Sequence, residues 1–350
     1  MWRVAERALS RRALNRALLA RQLLLERSAL SIPKALERIG GIQAQYAPSM
    51  YIGLWTRLEG FDRDALTRAL ERRSVVQATL MRATIHLVSA RDYWPFELAV
   101  ADARREAWLK YGPRAKATNA REMAALARRV KKRMRGGSMV RSEIQEIAGD
   151  SMRTNGIGMW IDLVRAPPSG TWERRRADLY ALASEWVGEP DVSDDAALER
   201  TIGAYLSGFG PAAPAAVANW AGLAPAVVAR GLERLKLRRF RAEDGAELVD
   251  LPRLALPDPE TPAPPRFLPN WDATLLAHAR RTGILPEGFR PRVFSTKTPQ
   301  SVPTFLLDGE VAGSWSFAKG KIELEPFRKL TASERRELAG EAERLTALHS

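Results

Sequence analysis

The sequence predicts an α+β protein that is mainly helical, with three tandem winged-helix motifs and a small β-rich C-terminal region. Three observations favour this fold class. A helix, a second short helix, a third helix and two alternating strands follow one another in this order three times along the chain. A Pro-rich segment, LPDPETPAPPRFLPN, marks a boundary near residue 255. Beyond it, short alternating stretches separated by turn residues are typical of a small antiparallel sheet.

The third copy of this order is the clearest. DDAALERTIGAYLSGFG is interpreted as a helix that Gly208 and Gly210 terminate, and PAAPAAVANWAG and APAVVARGLERL follow as two further helices. KLRRFRAEDGAELVDL alternates and turns at Asp244 and Gly245, which indicates a hairpin.

The other copies and the C-terminal region are predicted from similar patterns. The first copy consists of helices in RALLARQLLLER, IPKALERIGGIQAQ and DRDALTRALERRS and strands in VVQATL and ATIHLVSA. The second begins at AREMAALARRVKKRM and ends on a return strand that carries Arg174, Arg175 and Arg176. In the last region, PRVFSTK, VPTFLLDGEVAGSWSF and KIELEPF predict strands, and Thr331 with Glu334 predicts the capping box of a closing helix. The predicted domains are 1–115, 116–190 and 191–255 for the three winged helices and 256–350 for the β-rich region with its closing helix.

The charge of the chain favours a polyanionic partner. The formal net charge is +14 and the isoelectric point is near 10.4, and Lys and Arg placed against phosphates release counterions. Thirteen of these residues lie between Arg104 and Arg141. This concentration favours nucleic-acid binding over the alternative of an Arg-rich genomic composition. Phosphate contacts are predicted for Arg128, Arg129, Lys131 and Lys132, and for Arg174, Arg175 and Arg176.

Several classes of protein are disfavoured by what the sequence lacks. It contains no cysteine, and its three histidines, His86, His278 and His349, are far apart, so no metal site is expected. Phosphate loops and the GxGxxG, HExxH and GxSxG motifs are absent, and no cofactor is expected. The N-terminal segment MWRVAERALSRRALNRALLARQ is interpreted as a helix and not as a signal peptide. We therefore expect a cytoplasmic protein that associates with the nucleoid through DNA and has no membrane partner.

The segment GGIQAQYAPSMYIGLW, residues 40 to 55, carries the candidate catalytic residues Gln43 and Gln45. A glutamine offers one acceptor oxygen and two N–H donors. That is enough to orient a water when the leaving group is an N7- or N3-alkylated purine, because such a base already carries positive charge. Residues two apart share a face in extended backbone but not in a helix, so a shared site requires Gln43 to Gln45 to be non-helical. The alternative is a surface or capping element.

A second segment, MRATIHLV, alternates Arg82, Thr84 and His86. A strand would place all three on one face, and a polar face beside the glutamines is suited to bind a DNA phosphate or the lesion. The alternative is an ordinary solvated strand face on which His86 is hydrogen-bonded to backbone.

Five stretches, taken in order, resemble the AlkZ-type family of winged-helix DNA glycosylases and span about residues 15 to 330 of the chain. They are LERIGGIQAQYAPSMYIGLWTRL, LMRATIHLVSARDYW, YLSGFGPAAPAAVANWAGL, LPNWDATLLAHARR and VPTFLLDGEVAGSW. The resemblance implies a C-shaped protein with a positively lined DNA channel, and monofunctional excision of alkylated purines with unhooking of interstrand crosslinks. The family signature is a glutamine, an apolar residue, then glutamine or aspartate. Gln43, Ala44 and Gln45 therefore resemble the two-glutamine branch, which is often linked to antibiotic self-resistance.

The main hypothesis is a monomeric DNA glycosylase that acts on N7-alkylguanine, N3-alkyladenine or crosslinks in double-stranded DNA, in base excision repair or self-resistance. Gln43 and Gln45 would position the hydrolytic water, and Arg82, Thr84 and His86 would line the pocket. Two C-terminal turns, at Asp308–Gly309 and at Lys319–Gly320 with Lys321, are suited to wedge the duplex.

Two other functions remain open. One is a non-catalytic winged-helix DNA-binding regulator, although no heptad segment indicates the dimer that such a protein usually forms. The other is lyase chemistry through Lys34, which is the only lysine near the glutamines and which nothing in the sequence indicates to be desolvated.

Overall fold

The computed structural model describes residues 8–111, 118–276, 283–294 and 301–350. Helices and three sheets make up this part of the chain, so the predicted α+β class is confirmed. The number of winged helices and the domain boundaries stay predictions.

The N-terminal part contains two helices that the sequence pattern does not indicate. Its elements are β1 (Ala8–Leu9), α1 (Arg11–Arg21), α2 (Ile32–Ile39), β2 (Ile42–Gln43), α3 (Ala47–Trp55), α4 (Arg63–Glu71), β3 (Val75–Thr79), β4 (Ile85–Ser89) and α5 (Ala90–Tyr111). Helix α3 was missed because all of its residues are buried, which leaves no amphipathic pattern to detect; the long helix α5 was missed as well. The prediction of a continuous helix in the N-terminal segment is wrong for residues 8 to 10. Ala8 and Leu9 form β1, and the Ser10 side chain caps α1 by accepting the N–H of Ala13.

The middle of the chain follows the predicted order closely. Its elements are α6 (Ala120–Met134), β5 (Ser138–Val140), α7 (Arg141–Ala148), α8 (Ser151–Ile157), β6 (Leu163–Arg165), β7 (Leu179–Leu182), α9 (Ala183–Val187), α10 (Asp194–Phe209), α11 (Pro214–Ala221), α12 (Pro225–Glu233), β8 (Arg238–Ala242) and β9 (Glu247–Asp250). The third copy is confirmed as three helices and a hairpin, with Gly245 at φ +80° in its turn.

The C-terminal part forms a four-stranded antiparallel sheet and a closing helix. Its elements are β10 (Arg266–Leu268), α13 (Ala273–Leu276), α14 (Arg290–Val293), β11 (Thr304–Leu307), β12 (Glu310–Ala318), β13 (Lys321–Pro326) and α15 (Ala332–His349). The predicted Thr331–Glu334 capping box is present. The strand predicted in PRVFSTK is wrong for Pro291 to Val293, which are helical, and residues 295 to 297 lie outside the described residues.

The hairpins of the first two copies join in one six-stranded sheet of order β2-β4-β3-β6-β7-β5. The joining pair is antiparallel, with Gln77 of β3 opposite Arg165 of β6. In the third sheet, β1 pairs in parallel with β8, so the N-terminal strand completes the hairpin of the third copy.

The two faces of the six-stranded sheet differ in what covers them. One face, with Ala78 and Val164, contributes to the largest apolar cluster. On the other face, Leu87 belongs to a cluster shared with the C-terminal region, and Leu163 belongs to one shared with α6 and α7. Strand alternation places Gln77, Thr79, Arg165 and Tyr180 on this second face. We call these four residues the polar row.

Ion pairs with at least one buried member connect α1 and the segments around α2 and α3 to residues beyond position 249. They are Arg21–Asp250 at 2.6 Å, Arg57–Asp272 at 2.8 Å, Arg16–Asp308 and Arg27–Glu341. The Asn15 amide also donates to the carbonyl of Gly309 at 2.8 Å. The Asp308–Gly309 turn is therefore packed against α1, with Gly309 buried and Asp308 exposed, and its predicted role as a DNA wedge stays a prediction.

Candidate active site and nucleic-acid interface

The glutamine segment lies at the edge of the six-stranded sheet and is not helical. Gln43 ends the edge strand β2, the N–H of Ala44 donates to the carbonyl of Ile85 at 2.7 Å, and helix α3 begins only at Ala47. Gly40 and Gly41, with φ of +79° and +80°, release the chain from α2 into this strand. The non-helical backbone that a shared site requires is thus present.

Gln43 and His86 are cross-strand neighbours. Gln43 lies opposite His86 in the β2–β4 pair, between the pairs formed by Ile42 with Leu87 and by Ala44 with Ile85. Side chains approach closely in such a pair, because it carries no hydrogen bond of the ladder. Gln43 is only 6% exposed, and its carboxamide forms no hydrogen bond with any residue in the described part of the chain.

Gln45 is exposed, but its carboxamide is held in one orientation. The backbone N–H of Ile85 donates to Gln45 Oε1 at 3.1 Å. Since that N–H requires an acceptor, the amide nitrogen of Gln45 must point the other way. Gln45 therefore presents N–H donors to its surroundings, while its oxygen completes the end of β4.

Arg82, Thr84 and His86 do not share one strand face, and that prediction is wrong. Met81 to Ala83 form a 3₁₀ turn in which Arg82 and Ala83 adopt positive φ of 53° and 56°. The hairpin closes tightly here, since the N–H of Leu80 donates to the carbonyl of Thr84 at 2.9 Å. Only His86 of the three lies within β4.

Arg82 and Thr84 are bound to backbone around this turn. The Thr84 hydroxyl donates to the carbonyl of Met81 at 3.0 Å, and the Arg82 guanidinium donates to the carbonyl of Trp220 in α11. Burial lowers the pKa of Arg82, and the structure shows no carboxylate partner for it among the described residues.

His86 is a neutral imidazole with a defined tautomer. It is 3% exposed, and its Nδ1 lies 3.0 Å from the carbonyl oxygen of Thr84, so Nδ1 carries the hydrogen. Burial, together with the positive charges of Arg82 and Arg104, lowers the pKa of His86 to about 3. This hydrogen bond from His86 to a backbone carbonyl was expected under the alternative interpretation of the segment, an ordinary strand face. Nε2 remains as an acceptor beside Gln43.

The loop before β7 approaches the glutamine segment. Arg174, Arg175 and Arg176 are exposed in this loop, so their predicted place on the return strand is wrong. Arg175 Nη1 donates to the hydroxyl of Tyr46 at 3.0 Å, and Tyr46 is 40% exposed directly after Gln45. The sequence prediction did not include Tyr46, although an exposed aromatic beside the glutamines is a signal that marks it.

The other predicted DNA contacts lie on separate exposed elements. Helix α6 buries Met123, Ala127, Val130 and Met134 and exposes a basic face made of Arg128, Arg129, Lys131 and Lys132. In the described residues these four cations have no ion-pair partner. Lys319 and Lys321 are exposed at the two-residue turn between β12 and β13, where Lys319 and Gly320 have positive φ.

Not every cation of the basic stretch belongs to this surface. Arg104 is 4% exposed and pairs with Glu97 in the interior, and Arg105 binds Asp102 at 2.9 Å and the carbonyl of Met159 at 2.7 Å. Within the described ranges, no group of three or more His, Asp or Glu residues could hold a metal ion. None of the described helices is both long enough and apolar enough to span a membrane.

Comparisons with known proteins found a matching family and similar proteins. The family described as DNA glycosylase AlkZ-like matches residues 36–348. A Streptomyces sahachiroi protein named interstrand DNA cross-link repair glycosylase is 22% identical over 337 residues, which cover 88% of each chain. The solved structure of the Streptomyces sahachiroi DNA glycosylase AlkZ matches with a TM-score of 0.83 and 21% identity, covering 97% of this chain and 98% of that one.

Proposed function

The chain belongs to the AlkZ-like family of DNA glycosylases, and we propose that it excises alkylated purines, including N7-alkylguanine and N3-alkyladenine, from double-stranded DNA and unhooks interstrand crosslinks. The observation that supports this substrate class is the group of uncharged polar side chains, Gln43, Gln45 and His86, at one edge of the sheet. An alkylated purine carries its own positive charge and leaves as a neutral base. Hydrolysis then needs an oriented water and little acid or base catalysis.

The two glutamines have different roles in this proposal. Gln45 Oε1 is occupied by the N–H of Ile85, so Gln45 acts as a donor and its amide N–H binds the oxygen of the hydrolytic water. Gln43 has an uncommitted carboxamide, and its oxygen accepts a hydrogen from the same water. Nε2 of His86 lies beside Gln43 as a second acceptor.

The neutral state of His86 suits the charge that develops during the reaction. The sugar becomes positively charged as the base departs, and an imidazolium would repel it. With a pKa of about 3, His86 stays uncharged at neutral pH. Arg82 lies near enough to lower that pKa, and it is suited to bind a phosphate of the extruded nucleotide.

Excision without strand cleavage follows from the state of Lys34. Its side chain is exposed to solvent on α2 and pairs with Glu37 at 2.8 Å. A Schiff base requires an unprotonated, desolvated amine, so we expect a monofunctional enzyme.

The exposed cations form the DNA-binding surface in this proposal. Phosphate contacts come from four basic residues of α6, three of the loop before β7 and two of the C-terminal hairpin, namely Arg128, Arg129, Lys131, Lys132, Arg174, Arg175, Arg176, Lys319 and Lys321. Such contacts position the duplex without reading its sequence. We expect a monomer that acts at the cytoplasmic nucleoid, in repair or in self-resistance.

The test uses duplexes that contain N7-methylguanine or a nitrogen-mustard crosslink, with base release and DNA affinity measured separately. Gln43→Ala and Gln45→Ala are expected to lower single-turnover release by about 100-fold or more and to leave affinity unchanged. Gln45→Glu keeps an acceptor for Ile85 but removes the N–H donors, so it is expected to be as slow as Gln45→Ala. Gln145→Ala, on α7, is the matched control and should retain wild-type release.

Two outcomes would contradict the proposal. Full activity of Gln45→Glu would overturn the donor role of Gln45 while leaving the substrate class intact. No release from either duplex by the wild-type protein, together with binding to a particular DNA sequence, would instead support the regulator.

A further inference from the structure

A polar cavity of about 130 Å³ lies against the polar row, on the face of the sheet opposite Gln43 and His86. A single water needs only roughly 10–15 Å³ of such space, so the cavity has room for a group of several atoms. Its polar lining comes from Thr79, Arg141, Thr154, Asn155, Arg165 and Tyr180. The catalytic proposal uses none of these residues.

Arg165 provides a buried charge that nothing in the described residues neutralises. It is 8% exposed, its Nη2 donates to the hydroxyl of Thr79 over 3.3 Å, and Tyr180 is its other side-chain hydrogen-bond partner. Its guanidinium lies 5.4 Å from the ring centre of Tyr180, and its Nε is buried without a hydrogen-bond partner. Most donors of this guanidinium therefore remain available.

Among the described residues, no carboxylate forms an ion pair with Arg165, and the buried Glu97 is engaged by another arginine. Arg104 donates to the carbonyl of Thr79, the residue whose hydroxyl Arg165 contacts, and Arg104 is paired with Glu97. A buried charge without a partner is costly. The cavity thus contains an excess of positive charge and of hydrogen-bond donors.

The mouth of the cavity carries a second cation. Arg141 is half-buried at the start of α7, and its Nη2 donates to Asn155 Oδ1 at 2.8 Å, with Asn155 exposed to solvent. A cationic purine would be repelled by two guanidinium groups. An anion that only accepts hydrogen bonds fits both groups, and phosphate oxygens match a guanidinium in charge and geometry.

We propose that this cavity binds a phosphate group, with Arg165 at its base and Arg141 at its mouth. The phosphate comes either from the DNA backbone or from free inorganic phosphate. The cavity is close to the candidate active site, because Thr79 in its lining is the strand partner of Ile85, whose N–H holds Gln45. The site does not depend on the glycosylase reaction, since it uses neither glutamine.

The first experiment measures the midpoint temperature of thermal unfolding in inorganic phosphate and in chloride at equal ionic strength. The wild-type midpoint is expected to rise with phosphate concentration, as for any ligand that binds the folded state alone. Arg165→Met should lose this rise, and Arg141→Met should reduce it. Arg336→Met removes an exposed charge on α15, outside the proposed DNA-binding surface, and is the matched control, which should respond like the wild type.

The second experiment separates the two sources by measuring affinity for an undamaged duplex over a range of salt concentrations. If the site holds a backbone phosphate, Arg165→Met lowers the slope of log affinity against log salt by about one, and inorganic phosphate competes with the duplex. If the site holds a free anion, duplex affinity is unchanged and phosphate still raises the midpoint with DNA bound. A wild-type protein without a phosphate-specific rise, combined with unaltered duplex binding by Arg165→Met, would overturn the proposal. Base release by the wild type is measured in parallel, so a failed phosphate site is distinguishable from a failed enzyme.

Discussion

Two groups of buried or partly buried arginines lie in different regions of this protein, and the interior pair Arg104–Glu97 belongs to neither. The first group, the tethering pairs, connects α1 and the segments near α3 to the C-terminal third of the chain: Arg16–Asp308, Arg21–Asp250, Arg27–Glu341 and Arg57–Asp272. The second group, the unpaired arginines, consists of Arg82 and Arg165 on the six-stranded sheet, whose guanidinium groups have no carboxylate partner among the described residues.

The difference indicates what each positive charge is for. A tethering pair neutralises its charge within the fold, so its value is structural. An unpaired buried arginine lowers stability unless an anion joins it, and perturbed groups of this kind concentrate at functional sites. Arg266 is intermediate, because it donates to the carbonyls of Pro265 and Leu25 and lies near Glu341.

The largest expected effect comes from breaking a tethering pair. Arg57 donates to both oxygens of Asp272, at 2.8 and 2.9 Å, and both residues are buried. Burial alone would raise the pKa of Asp272, but Arg57 and Thr274 hold it below its usual value. Arg57→Leu leaves the carboxylate uncompensated, and the free energy of unfolding should fall by about 3–5 kcal/mol in urea denaturation.

An exposed pair provides the control for that substitution. Arg68 and Asp62 are 3.1 Å apart on the surface, and Arg68→Ala should cost less than about 1 kcal/mol. Replacing Arg57 and Asp272 together by leucine should recover much of the loss. If Arg57→Leu and Arg68→Ala lowered the free energy of unfolding equally, the tethering pairs would have no special structural value.

The second effect has the opposite sign. Arg165→Met removes a charge and an unsatisfied buried donor while keeping the length of the side chain. In phosphate-free buffer the free energy of unfolding should rise by about 1–3 kcal/mol, measured by the same urea titration. A loss of stability would show that Arg165 is a structural residue of the first group.

The sequence predicted the regions whose structure is determined locally. Helices α10 to α12 and the hairpin at Gly245 follow from apolar periodicity and from Gly and Pro at the ends. Joining two hairpins in one sheet depends on the pairing of Gln77 with Arg165, which are 88 positions apart in number (165 − 77). No short-range pattern contains that information.

The candidate site was predicted in composition but not in geometry. Gly41 and Pro48 indicate a non-helical segment around Gln43 and Gln45. The left-handed backbone of Arg82 and the bond from Ile85 to Gln45 arise only when β3 and β4 close. Arg165 had a visible signal, a charge at the end of the apolar strand LVR and just before APP, and the sequence prediction overlooked it.

The third effect is a pH dependence of stability that originates at His86, which is buried beside the unpaired Arg82. Burial first, and then Arg82 and Arg104, lower the pKa of His86 to about 3. Between pH 6.5, near the ordinary pKa of a histidine, and about pH 3, His86 is protonated in the unfolded chain and neutral in the folded protein. Stability from this residue is therefore complete above about pH 6.5 and falls as the pH decreases, with a slope approaching 1.4 kcal/mol per unit.

His86→Gln should flatten the decline of unfolding free energy between pH 6.5 and 4.5, measured by urea denaturation at half-unit steps. His349 is the matched histidine, because burial, with Arg175 and Arg63, lowers its pKa to about 4, and His349→Gln should retain the part due to His86. If the free energy of unfolding of His86→Gln declines as steeply as that of the wild type, the proton binds to another group.

The smallest effect on stability is expected at the exposed cations of α6. Arg128 lies on the solvent side of the helix and has no ion pair in the described structure, so Arg128→Gln should change the free energy of unfolding by less than about 0.5 kcal/mol. Its effect should instead appear in DNA affinity, where the slope against log salt falls by about one for each phosphate that the protein no longer neutralises. Glu233→Gln on α12, a surface change of opposite sign, is the control and should not lower that slope. If Arg128→Gln leaves the slope unchanged, α6 does not bind the duplex, and the unpaired buried arginines would have to account for more of the affinity.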